Sequence, residues 1–194
     1  MEAFSDAVFA IAITLPIVEV RMPEIKQGDP VLAQEFLRLW PSFVGYALSF
    51  LVIGLYWVHH HFNGMIFRRV THGFLLSTLL FLMAIGFVAF PTHLFAQYVH
   101  DPVNRHAATA IYVGSLTIVS LTWLVKWLHG VASRAIDDRL RRSYVRRMTI
   151  QYVATSAAYV IAFLVTLVSW AAGLTIAFAI TLYYLRPPPA PEYL

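Results

Sequence analysis

FSDAVFAIAITLPIVEV, residues 4–20, is a helix-length apolar run framed by charge. It opens on the polar pair Ser5-Asp6, closes on Glu19 with Arg21 just beyond, and has Thr14 as its only polar side chain in between. On a helix, Ile11, Leu15 and Val18 follow i, i+4, i+7 spacing and form one narrow stripe of branched apolar side chains. At about 100° per residue, Asp6 lies roughly 140° around the helix from Ile11. The run therefore carries an apolar row and, elsewhere on its circumference, a carboxylate at the membrane edge. A lipid-facing helix capped by Ser-Asp satisfies the same residues.

The rest of the chain places this run in a membrane. The 194 residues are 59% hydrophobic and only 12% charged, and a soluble domain of this length needs far more charge to cover its surface. The class is an all-α integral membrane protein. With no cysteine, disulfides, thiolate metal sites and cysteine nucleophiles are excluded. The net charge of +4 suggests nucleic acid only superficially, because the basic residues sit between apolar runs, as topogenic signals do. The first apolar run lacks a basic leader and a small-residue cleavage site, so it reads as a span, with no cleavable signal peptide.

Taken in order, the hydropathy pattern predicts six transmembrane helices in a single domain, over about 4–21, 41–61, 72–90, 107–128, 148–168 and 171–185. A polar turn over 22–30 with Pro23, Gly28 and Pro30 precedes a short amphipathic interfacial helix at about 31–40. The side shared by the termini and by the loops between the second and third and the fourth and fifth spans holds ten basic residues, including Arg68, Arg69, Lys126 and Arg139; the other side holds Arg21, Lys26, Arg38 and Arg105. The positive-inside rule predicts both termini in the cytoplasm, so Asp6 is cytoplasmic-side and Glu19 external-side. Trp40, Trp57, Trp123, Trp127 and Trp170 read as interfacial anchors. The basic run from Arg139 to Arg147 reads as a topogenic loop against anionic headgroups, and a single interleaved aromatic, Tyr144, argues against a nucleic-acid surface.

Two further stretches invite chemistry. Val44-Gly45-Tyr46, inside residues 42–47, is reminiscent of the carbonyl filter T-V-G-Y-G, but Phe43 and Ala47 stand where that filter needs threonine and glycine, and the run reads as a helix start. His59-His60-His61 suggests a metal, yet consecutive helical side chains diverge by about 100° and cannot all chelate one ion. No metal site is predicted. The histidines read as part of a polar network at the cytoplasmic helix ends, with an imidazole bonded to a carboxylate such as Asp6.

F-S-D-A-V-F-A-I-A-I-T-L, residues 4–15, resembles the first-helix signature of the transmembrane protein 175 family, bacterial and lysosomal potassium channels that lack the usual potassium filter. Trp57-Val58-His59-His60-His61 is similar to the family's W-x-x-H-H segment, and Phe90-Pro91-Thr92 to the F-P-T after its third helix. The second half resembles the family only in hydropathy. The family Arg four residues before the Phe would fall just before Met1, so a salt bridge from it to Asp6 has no counterpart in these residues. The resemblance implies a bacterial single-repeat member in the cell membrane. Phe4, Ser5, Asp6, Trp57, His60 and His61 would be the signature motif and its structural polar network. It also implies a constriction at Ile11, Leu15 and Val18. With no second F-S-D in the chain, a pore lined by one helix needs several copies around an axis, and the family implies a homotetramer with first helices lining a central pore.

The function expected is a potassium-preferring cation channel with a hydrophobic constriction, with no cofactor and with potassium as the permeant monovalent cation. Thr14 beside the stripe supplies hydroxyls to a partly dehydrated ion, and Glu19 at the outer mouth concentrates cations. The alternative is a proton- or ion-coupled transporter with Asp6 and His59, His60 and His61 as the relay, helped by a kink at Pro16. An intramembrane enzyme has no nucleophile, base or ligand set to support it.

Overall fold

Pro16 decides where the first helix stops. The computed structural model describes residues 2–20 and 31–194, with the side chain of Glu19 left aside. The outer-mouth role of Glu19, the charges Arg21 and Lys26, and the turn over 22–30 therefore lie outside the described residues. Helix α1 (Glu2–Thr14) ends and Leu15–Glu19 continue as a 3-10 helix. The physical reason is that Pro16 has no N–H to give the carbonyl of Ala12 and its ring crowds that carbonyl. The single helix expected over 4–21 is thus two pieces, together about 30 Å long from rises of about 1.5 and 2.0 Å per residue. That length matches a hydrocarbon core of about 30 Å. Residues three apart eclipse in a 3-10 turn, so Val18 stays under Leu15 and the stripe survives the break.

After α2 (Leu32–Arg38), which buries none of its residues, come α3 (Trp40–Gly64), α4 (His72–Tyr98), α5 (Arg105–Ala132), α6 (Arg142–Thr166) and α7 (Trp170–Tyr183). Among the described residues the chain is all helical, with isolated β-bridges and no strand. Helices α3, α4, α5 and α6 are long and apolar enough to cross a membrane, while α7 is shorter. Helix α4 continues through Pro91 to Tyr98, although the sequence reading ends it at Phe90. Pro91 and Thr92 are buried, and the Thr92 hydroxyl donates to the Val88 carbonyl at 2.7 Å, so this buried hydroxyl is satisfied within the helix.

Helices α4 and α5 form the central pair. Helix α3 packs on α4, α6 on α5, and α7 on both α6 and α5; α1 lies against α3 and α4, on the far side of the chain from α6 and α7. The core between them is built from Phe81, Ile85 and Val88 of α4, Val113, Leu116 and Val119 of α5, Ile53 of α3 and Phe9 of α1. Residues 42–47 form the first turns of α3. A Cβ at Gly45 would stand 3.1 Å from the Ala96 Cβ and 3.2 Å from the His93 Cα, so this glycine serves the close approach of α3 to α4.

One end of the bundle is knitted by its loops and tail. The Arg68 and Arg69 amides donate to the Ala135 carbonyl at 2.8 and 3.1 Å, and the Asp137 amide donates to the Ile66 carbonyl at 2.9 Å. The buried carboxylate of Asp137 pairs with Arg68 at 2.8 Å and Arg139 at 2.9 Å. Hydrogen bonds from the Arg139 side chain and backbone, with Arg68 alongside, hold its pKa down at about 2. The tail returns to the same loop: the Arg141 amide donates to the Glu192 carbonyl and the Leu194 amide to the Arg139 carbonyl, both at 2.8 Å. Arg139 and Arg147, read from sequence as loop charges, are held in ion pairs with Asp137 and Glu192. Lys126, within the expected fourth span and counted from sequence with the basic residues of that side, lies in α5 and is buried.

Candidate functional site

Helix α1 has two unlike faces. Ser5, Phe9, Ala12 and Pro16, at i, i+4, i+7 and i+11, are buried against α3 and α4. Phe4, Ile11, Leu15 and Val18 run along another face and stay largely exposed in the protomer; Ile11 and Leu15 are each 57% exposed and Val18 is 76% exposed. Thr14 is exposed beside this row, and its hydroxyl donates to the Ala10 carbonyl at 2.8 Å. Its proton is committed to the helix, so what it presents outward is oxygen lone pairs, the part of a hydroxyl that a cation uses.

The polar network around F-S-D differs from the expected imidazole–carboxylate pair. Trp57 donates its indole Nε1–H to Asp6 Oδ1 at 3.0 Å, and His61, one turn on, stacks on the Trp57 ring with centroids 5.9 Å apart. Trp57 is therefore the direct partner of the carboxylate rather than an interfacial anchor, and His61 reaches it only through the indole. The Ser5 hydroxyl is buried and has no hydrogen-bond partner among the described residues.

The other two histidines turn elsewhere, as steps of about 100° per residue require. His60 is buried, stacks on Phe81 with centroids 5.9 Å apart, and is hydrogen-bonded through Nδ1 to Lys126 Nζ at 2.7 Å. His59 contacts the Tyr184 carbonyl through Nε2 at 3.1 Å. The relay imagined for a transporter is thus not assembled: three adjacent imidazoles have three different neighbours, and Asp6 bonds to none of them. Among the described residues no three of His, Asp and Glu converge as metal ligands.

Lys126 is the member of this region that sequence reasoning missed. Its Nζ lies 4.5 Å from the Trp123 ring centroid and 5.3 Å from that of Phe81, so two aromatic faces and one imidazole take the place of a carboxylate. With His60, Gly64, Phe67 and Glu2 it lines a cavity of about 300 Å³ at the start of α1. The available signal was the apolar W-L-V-K-W-L context, residues 123–128, in which a lone lysine needs a partner inside the bundle. Trp123 and Trp127 likewise belong to the core, 6% and 1% exposed, rather than to the membrane interface.

Residues 1–91 match the family model described as endosomal/lysosomal potassium channel TMEM175. The chain is 35% identical over 186 residues to a protein of Chamaesiphon minutus named as a potassium channel, covering 95% of this chain and 91% of that one. It is 34% identical over 160 residues to a protein of Streptomyces collinus also named as a potassium channel, covering 82% of this chain and 77% of its relative. A crystal structure of a lysosomal potassium-selective channel TMEM175 homolog from Chamaesiphon minutus aligns with a TM-score of 0.79 and 33% identity, over 95% of this chain and 94% of that chain. The likeness extends through the second half, where motifs are few. The chain belongs to the TMEM175 family, whose members are ion channels and not enzymes.

Proposed function

We propose that this protein is a potassium-preferring cation channel, a homotetramer of six-span chains with α1 of each copy around a central axis. The observation that carries the proposal is the unpartnered row of Ile11, Leu15 and Val18 on the helix that bears the F-S-D signature. Relatives covering nearly the whole chain are named as potassium channels, which supports the same reading. Four copies of the row facing one axis make an apolar constriction that an ion passes only by shedding part of its water, and a larger ion sheds it at less cost. Thr14, with lone pairs outward beside Ile11 and Leu15, offers oxygen to that ion. Glu19 completes the proposed outer mouth.

In this reading the protein sits in a bacterial cell membrane with both termini cytoplasmic. The knitted loop end of the bundle carries Arg68, Arg69, Arg134, Arg139, Arg141, Arg142, Arg146, Arg147 and Arg186, and this excess of positive charge supports the orientation even with Lys126 removed from the count.

The test is reconstitution of the full chain in liposomes, with potassium and sodium gradients and a flux readout, alongside mass measurement in mild detergent and in bilayers. Potassium flux exceeding sodium flux, at a mass four times the 22.0 kDa chain, is expected. A monomer with intact flux overturns the proposal, since one copy cannot close a ring.

A further inference from the structure

Between α6 and α7, away from α1, lies an open groove of about 700 Å³. One wall is a single helical stripe, Arg147, Ile150, Gln151, Ala154, Thr155 and Ala158; the other is Ile180 and Tyr183 of α7, with Pro189 of the tail at one end. The groove has a structural cause. Near the connection of the two helices Gly173 lies directly on Thr166 and the Ala162 carbonyl, leaving no room for a Cβ, so the helices touch there, and the groove lies beyond that contact, from Ala158 to Arg147. The two helices are joined by hydrogen bonds between Thr155 Oγ1, on the groove wall, and the Tyr184 hydroxyl at 2.7 Å and, away from the groove, between the Tyr159 hydroxyl and Thr181 Oγ1 at 3.1 Å. Those polar groups are satisfied by one another, and the small side chains of Ala154 and Ala158 leave the depth.

Charge is confined to one end. The Arg147 guanidinium lines the groove and is half exposed, and that of Arg186 lies 5.6 Å from the ring centroid of Tyr183, another wall residue. From residue 147 to residue 158 the helix rises about 16 Å, close to one leaflet of a hydrocarbon core about 30 Å thick. We infer that this groove is a binding site for an anionic phospholipid, with its phosphate on Arg147 beside Arg186 and one acyl chain along Ala154 and Ala158. The carboxylate of Glu192, 2.8 Å from Arg147, occupies the phosphate position when no lipid is bound. The inference rests on the reading of α1 at the axis, which turns α6 and α7 toward the bilayer.

The test uses the full chain in vesicles of phosphatidylglycerol and phosphatidylcholine in equal amounts, extracted in mild detergent, with retained lipid read by native mass spectrometry. Wild type retains phosphatidylglycerol in preference to phosphatidylcholine. Arg147→Gln reduces that preference about fivefold, the worth of one basic side chain near a headgroup surface. Glu192→Gln increases it by freeing Arg147. Ala158→Trp, or Ala154→Leu where the larger residue prevents folding, reduces retention of both lipids. Arg69→Gln, whose guanidinium pairs with Asp138 outside the groove, changes nothing. Wild-type retention in both the Arg147 and the groove-filling variants overturns the inference, as does an equal loss in Arg69→Gln. Efficient cross-linking between copies through Ala158→Cys also overturns it, making the face an interface. Flux measured on the same vesicles reports separately on the channel reading, since lipid retention does not require conduction.

Discussion

Replacing Ile11 by Asn separates the stripe's role in folding from its proposed role in conduction. Full burial of an isoleucine side chain contributes about 1.5–3 kcal/mol. Ile11 is 57% exposed in the protomer, so the fold itself has no more than about 1 kcal/mol at stake. In a chain of this size that corresponds to a shift of about 2–4 °C in thermal midpoint. The effect on a pore is of another order, because Asn wets the ring and brings amide oxygens that substitute for ion hydration in every copy. Conductance should rise and the potassium-to-sodium permeability ratio should fall toward one, read as reversal potentials in planar bilayers with asymmetric potassium and sodium. Phe9→Ala supplies the contrast from the buried face of the same helix. Phe9 is 1% exposed and packs on His60 and Phe81 with ring centroids 5.4 and 6.1 Å away, so its loss should cost about 3–5 kcal/mol and deplete assembled protein. Ser42→Ala and Phe43→Ala, in the first turns of α3, should leave reversal potentials unchanged. If these two abolish selectivity while Ile11→Asn keeps it, the pore has been assigned to the wrong helix.

Trp57→Phe removes the bond to Asp6 and should lower thermal stability or tetramer yield by about 1–2 kcal/mol, with Asp6→Ala acting in the same direction. Intact tetramers with altered ion preference in either variant would contradict the structural role. At the buried pair, His60→Leu leaves the Lys126 amine without its partner and Lys126→Met leaves His60 Nδ1 without its own, so each should cost about 1–3 kcal/mol in thermal unfolding, while the double variant should cost less than the sum; strictly additive losses would refute the pairing. Asp137 has its pKa depressed from 3.8 to about 2, so its contribution to stability is present above the unfolded value and lost as pH falls through the folded one. Wild type should therefore lose thermal stability between about pH 4 and about pH 2 by a component that Asp137→Asn, already weaker near neutrality, no longer shows.

The stripe and the membrane class were legible because they are local. Hydropathy decides which phase a segment occupies, and the spacing of Ile11, Leu15 and Val18 defines a face whether the turn is α or 3-10. The break at Pro16 was visible as a freed carbonyl, but its result, a change of helix type, depends on how the following residues are packed. Passage of α4 through Pro91 was hidden for the same reason: a proline that local rules treat as a stop is buried within a packed helix that continues to Tyr98.

Composition, hydropathy and periodicity by themselves determined a helical membrane protein and which residues of its first apolar run share a face, while the family resemblance singled that run out. Only the tertiary structure decided the neighbours. A face has a direction but no address, so Asp6 meets Trp57 instead of a histidine, and His59, His60 and His61 separate to Tyr184, Lys126 and the Trp57 ring. Lys126 lay within the expected fourth span as one of the charges of the cytoplasmic side, and only packing turns it inward, where two aromatic rings and an imidazole meet the cost of burying its amine group. These pairings join residues as many as 125 positions apart, and only packing of the whole chain brings them within hydrogen-bonding reach.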